Sequence, residues 1–178
     1  MRGYFGLGVE GISKSMNVGN LQRSAHAFGA SFFFTVDSVL KDREIRQADT
    51  SGATEQMPIY VYKTLAELQL PKACKLIGIE LTDDAVALPS FRHPTAAAYI
   101  LGPERASLSP PTLARCDAVI KIPMKFCVNV GIAGAIVMYD RLLSMGRFDP
   151  RPVGFNSESE ARKPHVHGRP RLRKNPLP

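Results

Sequence analysis

Short apolar runs alternate with stretches of helical periodicity through most of this chain. The clearest run, Ser-Phe-Phe-Phe-Thr-Val at residues 31–36, is continuously apolar in the way typical of a strand buried on both faces. The runs of strand length are residues 4–9, 31–36, 59–62, 75–80, 98–101 and 118–122. The helical patterns are residues 17–28, 65–68, 109–115 and 129–145. This alternation predicts an α/β domain on a mostly parallel sheet.

The last helical pattern, residues 129–145, is apolar on most of its faces. A helix of this kind must be buried on more than one side. We therefore expect a second subunit to cover one of those sides. Asn17 and Asn129 stand at the starts of two predicted helices, where asparagine is a favoured N-cap.

The positive charge of the chain is concentrated near its C-terminus. The net charge is +7, but residues 1–146 hold 15 Lys/Arg against 13 Asp/Glu, whereas residues 147–178 hold eight against three. Residues 147–178 are rich in Pro and Arg and lack apolar periodicity, so we predict a domain at 1–146 followed by a disordered tail. The tail is either a nonspecific phosphate-binding segment or a solubilising one. The polar segment 42–56 is predicted to be a mobile loop.

Cysteine usage and hydropathy indicate the compartment. Cys74, Cys116 and Cys127 are odd in number and form no Cys-x-x-Cys pair, which disfavours a disulfide framework or a zinc site. The longest apolar stretch, residues 128–138, is far shorter than the roughly 20 residues of a membrane-spanning helix, and no secretory signal is expected at the start of the chain. We expect a soluble cytoplasmic protein without a resident metal and without membrane attachment.

One glycine pattern imitates a dinucleotide-binding fingerprint. Gly6, Gly8 and Gly11 match G-x-G-x-x-G, but a true fingerprint follows a strand and opens a helix. Here the glycines lie within the first predicted strand. This disfavours a nicotinamide oxidoreductase and favours glycines that allow close packing in the sheet.

The first informative motif is Asn17-Val-Gly-Asn20-Leu-Gln-Arg23. Asn20 and Arg23 are three residues apart and so share one face of the predicted helix, whereas Leu21 and Ala25 lie on the opposing apolar stripe. An amide and a guanidinium near a helix N-terminus can hold an anion such as a phosphate. An N-capped amphipathic helix with a solvated arginine is the alternative interpretation of the same pattern.

Two further motifs follow predicted strands. Leu101-Gly-Pro-Glu104 places a turn and a carboxylate just beyond a strand's carboxyl end, the edge at which parallel sheets bind ligands. Ile122-Pro123 leads to Asn129-Val130, where free backbone groups before the final helix can recognise an adenosine. An ordinary turn and an ordinary N-cap are the respective alternatives.

Together these motifs resemble the SpoU/TrmH-like branch of the SPOUT RNA methyltransferases. The family pattern N-x-G-N-x-x-R-x-A-x-x-F-G is met at residues 17–29, and the other two motifs occur in the family's order. The chain departs from the family at Ala106 and Ser107, where glycine is commoner, and at Cys127 and Gly131, where serine is usual.

The resemblance implies a SPOUT fold with a C-terminal trefoil knot, a homodimer, and methyl transfer from S-adenosylmethionine to a ribose 2'-hydroxyl of tRNA or rRNA. It implies catalytic roles for Asn20, Arg23, Glu104 and Asn129. It implies a cofactor site formed by Leu101, Gly102, Pro103, Glu104, Ile122, Pro123, Val128, Asn129 and Val130. Because arginine stays protonated in proteins, Arg23 is expected to orient the nucleotide and stabilise charge on the 2'-oxygen rather than to act as a base.

A noncatalytic RNA-binding or ribosome-assembly factor that keeps the same fold is the competing hypothesis. The presence of Asn20, Arg23, Glu104 and Asn129 disfavours it.

Overall fold

A computed structural model describes residues 3–48, 56–146, 148–149, 151–152 and 154–155. The chain divides into two units, Met1–Gly146 and Arg147–Pro178, and the first of them contains the sheet. Residues 49–55 and most of the residues after 146 lie outside the described residues. The disorder predicted for the tail and the mobility predicted for residues 49–55 therefore stay predictions.

The first unit is built on a seven-stranded sheet in which every observed strand pair is parallel. The strands are β1 (Tyr4–Glu10), β2 (Phe32–Val36), β3 (Ile59–Tyr62), β4 (Lys75–Ile79), β5 (Val86–Ala87), β6 (Ala96–Leu101) and β7 (Ala118–Lys121). Their order across the sheet is β3-β2-β1-β6-β4-β7-β5. The predicted α/β class with a parallel sheet is confirmed. The knot implied by the resemblance stays a prediction.

Four α-helices with bounds in the described residues accompany the sheet. They are α1 (Ser15–Ala27), α2 (Asp42–Gln47), α3 (Pro110–Arg115) and α4 (Val130–Met145), with 3₁₀ turns at Leu65–Glu67 and Leu88–Ser90. Asn129 caps α4 as predicted, because its side chain accepts a hydrogen bond from the backbone N–H of Gly131 at 2.8 Å.

Two expectations about local structure were wrong. Residues 42–47 form a helix rather than a loop, because buried Ile45 anchors the segment and Glu44 accepts a hydrogen bond from the Lys41 N–H at 2.8 Å. Asn17 does not cap α1, which begins at Ser15 after an N-cap position at Lys14 that makes no side-chain capping bond. Asn17 lies inside the first turn and is buried, because its side chain is used in a tertiary contact described below.

The apolar side chains of the central strands alternate between two cores. Phe5, Leu7 and Val9 of β1 face the core under α1 and α4, and Phe32 and Phe34 of β2 belong to the core on the other side. All five residues of β2 are buried, which confirms the prediction of a strand covered on both faces.

Gly6 and Gly8 of β1 make room for the aromatic rings of β2. A Cβ atom at Gly6 would lie 2.3 Å from the Phe32 ring, and one at Gly8 would lie 2.2 Å from the Phe34 ring. No side chain fits at either position without displacing a ring. The packing interpretation is therefore confirmed for Gly6 and Gly8, whereas Gly11 lies beyond β1 and has a φ of 61°.

Helix α4 is fixed to the sheet by a close helix contact and by a buried arginine. A Cβ atom at Gly134 would lie 2.8 Å from Leu21 of α1, so the two helices approach closely there. Arg141 is 4% exposed and donates hydrogen bonds to the carbonyl oxygens of Pro94 at 2.7 Å and Thr95 at 3.1 Å. The sequence pattern predicted a helix apolar nearly all round, and Arg141 is the exception on its buried side.

A buried histidine lies beside this arginine. His93 Nδ1 is 2.5 Å from the Tyr99 hydroxyl, and His93 Nε2 is 2.9 Å from the Asp140 carboxylate. Because Arg141 donates to the Tyr99 oxygen at 3.1 Å, the Tyr99 hydroxyl is free to donate to a neutral His93. Burial lowers the pKa of His93 and outweighs the opposing effect of Asp140, and the Arg141 charge lowers it further.

We predict that the free energy of unfolding decreases as the pH falls from about 7 to about 5. A histidine whose pKa is lowered in the folded state contributes stability above its unfolded pKa, and this contribution is lost as the pH falls through the folded value. Urea unfolding of the native chain and of His93→Gln at several pH values measures the effect. The variant should show a smaller pH dependence, and an equal dependence in both proteins would contradict the role of His93.

Candidate functional site

A cleft of about 640 Å³ opens at the carboxyl ends of β4, β6 and β7. The loops that follow these three strands and the first turns of α1 and α4 form its walls. The lining residues are Lys14, Asn17, Ile79, Glu80, Leu81, Leu101, Gly102, Pro103, Glu104, Arg105, Ala106, Ser107, Lys121, Ile122, Met124, Cys127, Val128, Asn129, Val130 and Ala133. Its volume is in the range of small-molecule sites in proteins.

The loop after β6 folds back tightly against its own start. A Cβ atom at Gly102 would lie 2.9 Å from the backbone nitrogen of Leu108 and 3.1 Å from the carbonyl carbon of Ser107. The contact is with backbone, which cannot rotate away as a side chain can. Glycine at residue 102 is therefore required for the shape of this wall of the cleft.

A chain of hydrogen bonds joins the three sequence motifs. The side-chain Nδ2 of Asn17 donates to Glu104 Oε1 at 3.0 Å, and the side-chain Oδ1 of Asn17 accepts from Asn129 Nδ2 at 3.1 Å. Asn129 Oδ1 in turn accepts from the N–H of Gly131. Residues separated by 87 and 112 positions in the sequence are thus held together at one edge of the sheet.

Glu104 receives further hydrogen bonds from the segment before α1. The Ser13 hydroxyl donates to Glu104 Oε2 at 3.2 Å, and the backbone N–H of Lys14 donates to Oε1 at 3.2 Å. Burial raises the pKa of the Glu104 carboxyl, but hydrogen bonds, that from Asn17 foremost, outweigh the burial and the net pKa is lower than usual. Glu104 is therefore ionised and acts as an acceptor that draws the loop after β6 toward α1.

A second cavity, of about 480 Å³, lies beside α1 and α4. Arg23 and Asn20 line it together with apolar side chains of α4, and Asn129 lines both this cavity and the first cleft. Arg23 is exposed and makes no hydrogen bond or ion pair with any described residue. Its guanidinium is consequently available to a ligand at a position adjacent to the cleft.

The structure gathers most of the residues singled out from the sequence. Eight of the nine expected cofactor residues line the first cleft, namely Leu101, Gly102, Pro103, Glu104, Ile122, Val128, Asn129 and Val130. Pro123 is exposed and does not line it, although its neighbours Ile122 and Met124 do. Asn20 and Arg23 line the second cavity instead. The roles of these residues stay predictions.

Sequence reasoning missed the central position of Asn17. Asparagine at the start of a predicted helix was interpreted as a cap, whereas its amide joins Glu104 to Asn129. The available signal was its place as the first residue of the motif that ends at Arg23. Lys14, Glu80 and Lys121 also line the cleft without having been singled out.

The walls of the cleft suit a nucleoside with an attached polar chain. Leu101, Ile122 and Val130 supply buried apolar surface. The backbone N–H groups of Met124 and Cys127 donate no hydrogen bond to a described residue and are available to ring or sugar acceptors. Apolar walls with a few directed polar groups are typical of cofactor sites.

In the part of the chain that the structure describes, no group of three or more His, Cys, Asp or Glu side chains is arranged to hold a metal ion. No helix among the same residues combines the length and the apolar character needed to cross a bilayer.

Two sequences related to this chain are named as guanosine 2'-O-methyltransferases. The chain is 27% identical over 139 residues to the mouse tRNA (guanosine(18)-2'-O)-methyltransferase TARBP1, covering 72% of this chain and 9% of the relative. It is 25% identical over 146 residues to the 23S rRNA (guanosine-2'-O-)-methyltransferase RlmB of Acinetobacter baylyi, covering 75% of this chain and 57% of the relative. The chain therefore spans only part of the length of both relatives.

Solved structures with the same fold include two methyltransferases bound to AdoMet. The SpoU methyltransferase AviRb of Streptomyces viridochromogenes in complex with AdoMet matches with a TM-score of 0.70 at 20% identity, over 80% of this chain and 61% of that one. An AdoMet-bound rRNA methyltransferase of Sinorhizobium meliloti matches with a TM-score of 0.69 at 20% identity, over 80% of this chain and 57% of that one. At this level of identity, the similarity establishes the fold.

The family assignment rests on a match over most of the chain. The model of the SpoU rRNA methylase family matches residues 5–139, a range that includes the cleft, the second cavity and the three motifs that Asn17 connects. The chain belongs to the SpoU rRNA methylase family.

Proposed function

We propose that this protein is an RNA methyltransferase that transfers a methyl group from S-adenosylmethionine to a ribose 2'-hydroxyl of tRNA or rRNA. The observation that carries the proposal is the hydrogen-bonded connection of Glu104, Asn17 and Asn129. It joins the cleft that suits a nucleoside cofactor to the cavity that contains Arg23. The activities named for TARBP1 and RlmB support the same reaction class.

The residues of the first cleft fit the proposed cofactor. Leu101, Ile122 and Val130 would pack against its adenine, and the backbone of residues 124–128 would recognise its polar edge. Gly102, Pro103, Glu104, Val128 and Asn129 complete the proposed site, and Pro123 would act by fixing the turn. When bound, S-adenosylmethionine supplies an electrophilic methyl group on a sulfonium.

Arg23 and Asn20 would hold the RNA nucleotide. A guanidinium presents several N–H donors in a fixed plane, which suits a phosphate beside the reacting ribose. The same positive charge would stabilise the 2'-oxygen as its bond to the methyl carbon forms and the methyl–sulfur bond breaks. S-adenosylhomocysteine would leave as a neutral thioether, and the hydroxyl proton would pass to solvent water. Catalysis would otherwise come from holding two reactants in adjacent cavities that share Asn129.

A homodimer is part of the proposal. Leu142 and Leu143 of α4 are 39% and 38% exposed, so the C-terminal part of this helix presents apolar surface beyond the second cavity. A second copy of the chain would cover that surface. The cysteines are free thiols, as in a reducing compartment, and the proposal places the protein in the cytoplasm. The basic residues after 146 would add nonspecific affinity for RNA.

We predict that Arg23→Ala lowers the rate of methyl transfer to RNA by about 100-fold or more, because a preorganised stabilising charge is lost. The affinity for S-adenosylmethionine, measured by calorimetry, should stay within about twofold, since Arg23 lies outside the cofactor cleft. Transfer of a labelled methyl group to RNA, followed by mapping of 2'-O-methylated positions, measures the first effect.

The control for this experiment is Arg92→Ala, which removes an exposed arginine near the opposite end of the sheet. It should leave the rate of methyl transfer unchanged. Loss of cofactor binding in Arg23→Ala would contradict the proposed role. A native chain that bound RNA but gave no calorimetric signal with the cofactor would instead favour a noncatalytic RNA-binding factor.

We predict that Asn17→Ala weakens the binding of S-adenosylmethionine by roughly 10-fold, because Glu104 and Asn129 lose the buried amide that joins them. Calorimetry measures the dissociation constant. Ser15→Ala, at an exposed position in the same turn of α1, is the matched control and should bind normally. Equal affinities of Asn17→Ala and the native chain would show that the connection does not shape the cleft.

We predict that Leu142→Glu combined with Leu143→Glu converts a dimer into a monomer, because two charges would have to be buried in an apolar interface. Analytical ultracentrifugation measures the mass. Val39→Glu, which places a charge on a different exposed apolar residue, should leave the mass unchanged. A native chain that sediments as a monomer would contradict the homodimer.

A further inference from the structure

A buried carboxylate at the end of β1 holds the far end of the loop after β6. Glu10 is 7% exposed, and its Oε2 accepts a hydrogen bond from the backbone N–H of Ser109 at 2.8 Å. Its Oε1 accepts from the hydroxyl groups of Ser109 and Thr112, both at 2.6 Å. These distances are typical of charge-assisted hydrogen bonds to an ionised carboxylate.

A second carboxylate holds the adjacent residue of the same loop. Glu80, which follows β4, accepts a hydrogen bond from the backbone N–H of Leu108 at 2.7 Å through Oε2 and one from its neighbour Leu81 at 2.9 Å through Oε1. Glu80 also lines the cleft, whereas Glu10 does not.

The two carboxylates lie on opposite sides of the strand that carries the loop. In the sheet order, β6 stands between β1 and β4, so Glu10 and Glu80 reach the loop from its two flanking strands. The start of the loop is held separately, because Glu104 accepts hydrogen bonds from Ser13 and Asn17. Residues 105–107 are exposed and line the cleft, and hydrogen bonds hold the loop on both sides of them, at Glu104 and at residues 108–109.

We propose that Glu10 and Glu80 are positioning residues that keep the 102–109 loop in the shape required for cofactor binding. Glu10 touches no part of the cleft and acts through Ser109. A buried anion is costly unless its oxygens are satisfied, and Glu10 has no Lys or Arg partner among the described residues. The Ser109 N–H and the hydroxyl groups of Ser109 and Thr112 therefore stabilise the buried carboxylate, and the carboxylate in turn fixes the position of these two residues. The inference rests on the proposed function for the identity of the cofactor.

Two substitutions of Glu10 should affect the loop differently. Glu10→Ala leaves the Ser109 N–H and two hydroxyl groups without their acceptor. Glu10→Gln keeps a carbonyl oxygen for the Ser109 N–H, and the hydroxyl groups of Ser109 and Thr112 can rotate to accept from the new amide. Glutamine should therefore preserve the loop and alanine should release it.

The test compares the full chain with Glu10→Ala, Glu10→Gln and Asp117→Ala. Asp117 is the matched control, because its carboxylate also accepts from a backbone N–H, that of Leu76 at 2.8 Å, but it lies at the end of β4 opposite to Glu80. The probes are hydrogen exchange at the amides of Leu108 and Ser109 without cofactor, calorimetry with S-adenosylmethionine, and steady-state methyl transfer.

We expect Glu10→Ala to raise the dissociation constant and the KM for S-adenosylmethionine by roughly 10-fold, with kcat within about twofold, and to speed exchange at Ser109. Glu10→Gln should stay close to the native values, and Asp117→Ala should change neither affinity nor exchange in the loop. If Glu10→Ala does not fold, Thr112→Val removes one of the hydroxyl donors and should shift the KM in the same direction by a smaller factor.

Three results would overturn the proposal. The first is that Glu10→Ala keeps the native affinity for S-adenosylmethionine and the native hydrogen exchange at Ser109. The second is that Asp117→Ala raises the KM as much as Glu10→Ala does. The third is that Glu10→Ala lowers kcat and leaves the KM unchanged. A native chain that bound no S-adenosylmethionine would contradict the proposed function and the role in binding together. Exchange at Ser109 would still report, independently, whether Glu10 holds the loop.

Discussion

One amide group organises the site of this protein. The Asn17 side chain donates to Glu104 and accepts from Asn129. The side-chain oxygen of Asn129, Oδ1, caps α4. Only an amide offers a donor and an acceptor in one planar group of this size: aspartate would repel the ionised Glu104, and an aliphatic side chain would leave both partners unsatisfied. These bonds therefore fix the positions of three elements relative to one another: the loop after β6, the first turn of α1 and the start of α4. The cleft is the space between them.

The parallel sheet makes such an arrangement possible. Because all observed pairs are parallel, the loops after β1, β4, β6 and β7 leave the same edge of the sheet. At Gly6 and Gly8 of β1, the rings of Phe32 and Phe34 from the neighbouring strand fill the space that side chains would occupy. The loops thus start from a rigid edge, and the carboxylates of Glu104, Glu80 and Glu10 draw one loop onto its neighbours.

Polar groups also fix the opposite end of the sheet. Arg141 donates to backbone carbonyl oxygens just before β6, and neutral His93 bridges Tyr99 and Asp140. Helix α4 is consequently held near its end by Arg141 and at its start by the cap at Asn129. A helix held at both ends can present its remaining apolar side to a partner without losing its position at the cleft.

The sequence by itself determined the α/β class, six of the seven strands and the loops that carry the site, because burial imposes a local apolar pattern that can be read in short windows. It also determined the family, through motifs whose residues are close together in the chain. It did not reveal the two-residue strand β5 or helix α2, whose stability depends on a neighbouring strand and on the single buried Ile45.

Only the tertiary structure decided what the polar residues do. Asn17 was interpreted as a cap and Glu10 was not singled out, yet Asn17 bonds to a residue 87 positions away and Glu10 to one 99 positions away. Such pairs depend on the order of strands in the sheet, which no local window contains. Hydrophobic burial leaves a periodic trace in the sequence, whereas a hydrogen bond between distant residues requires a direction and a distance that exist only after folding.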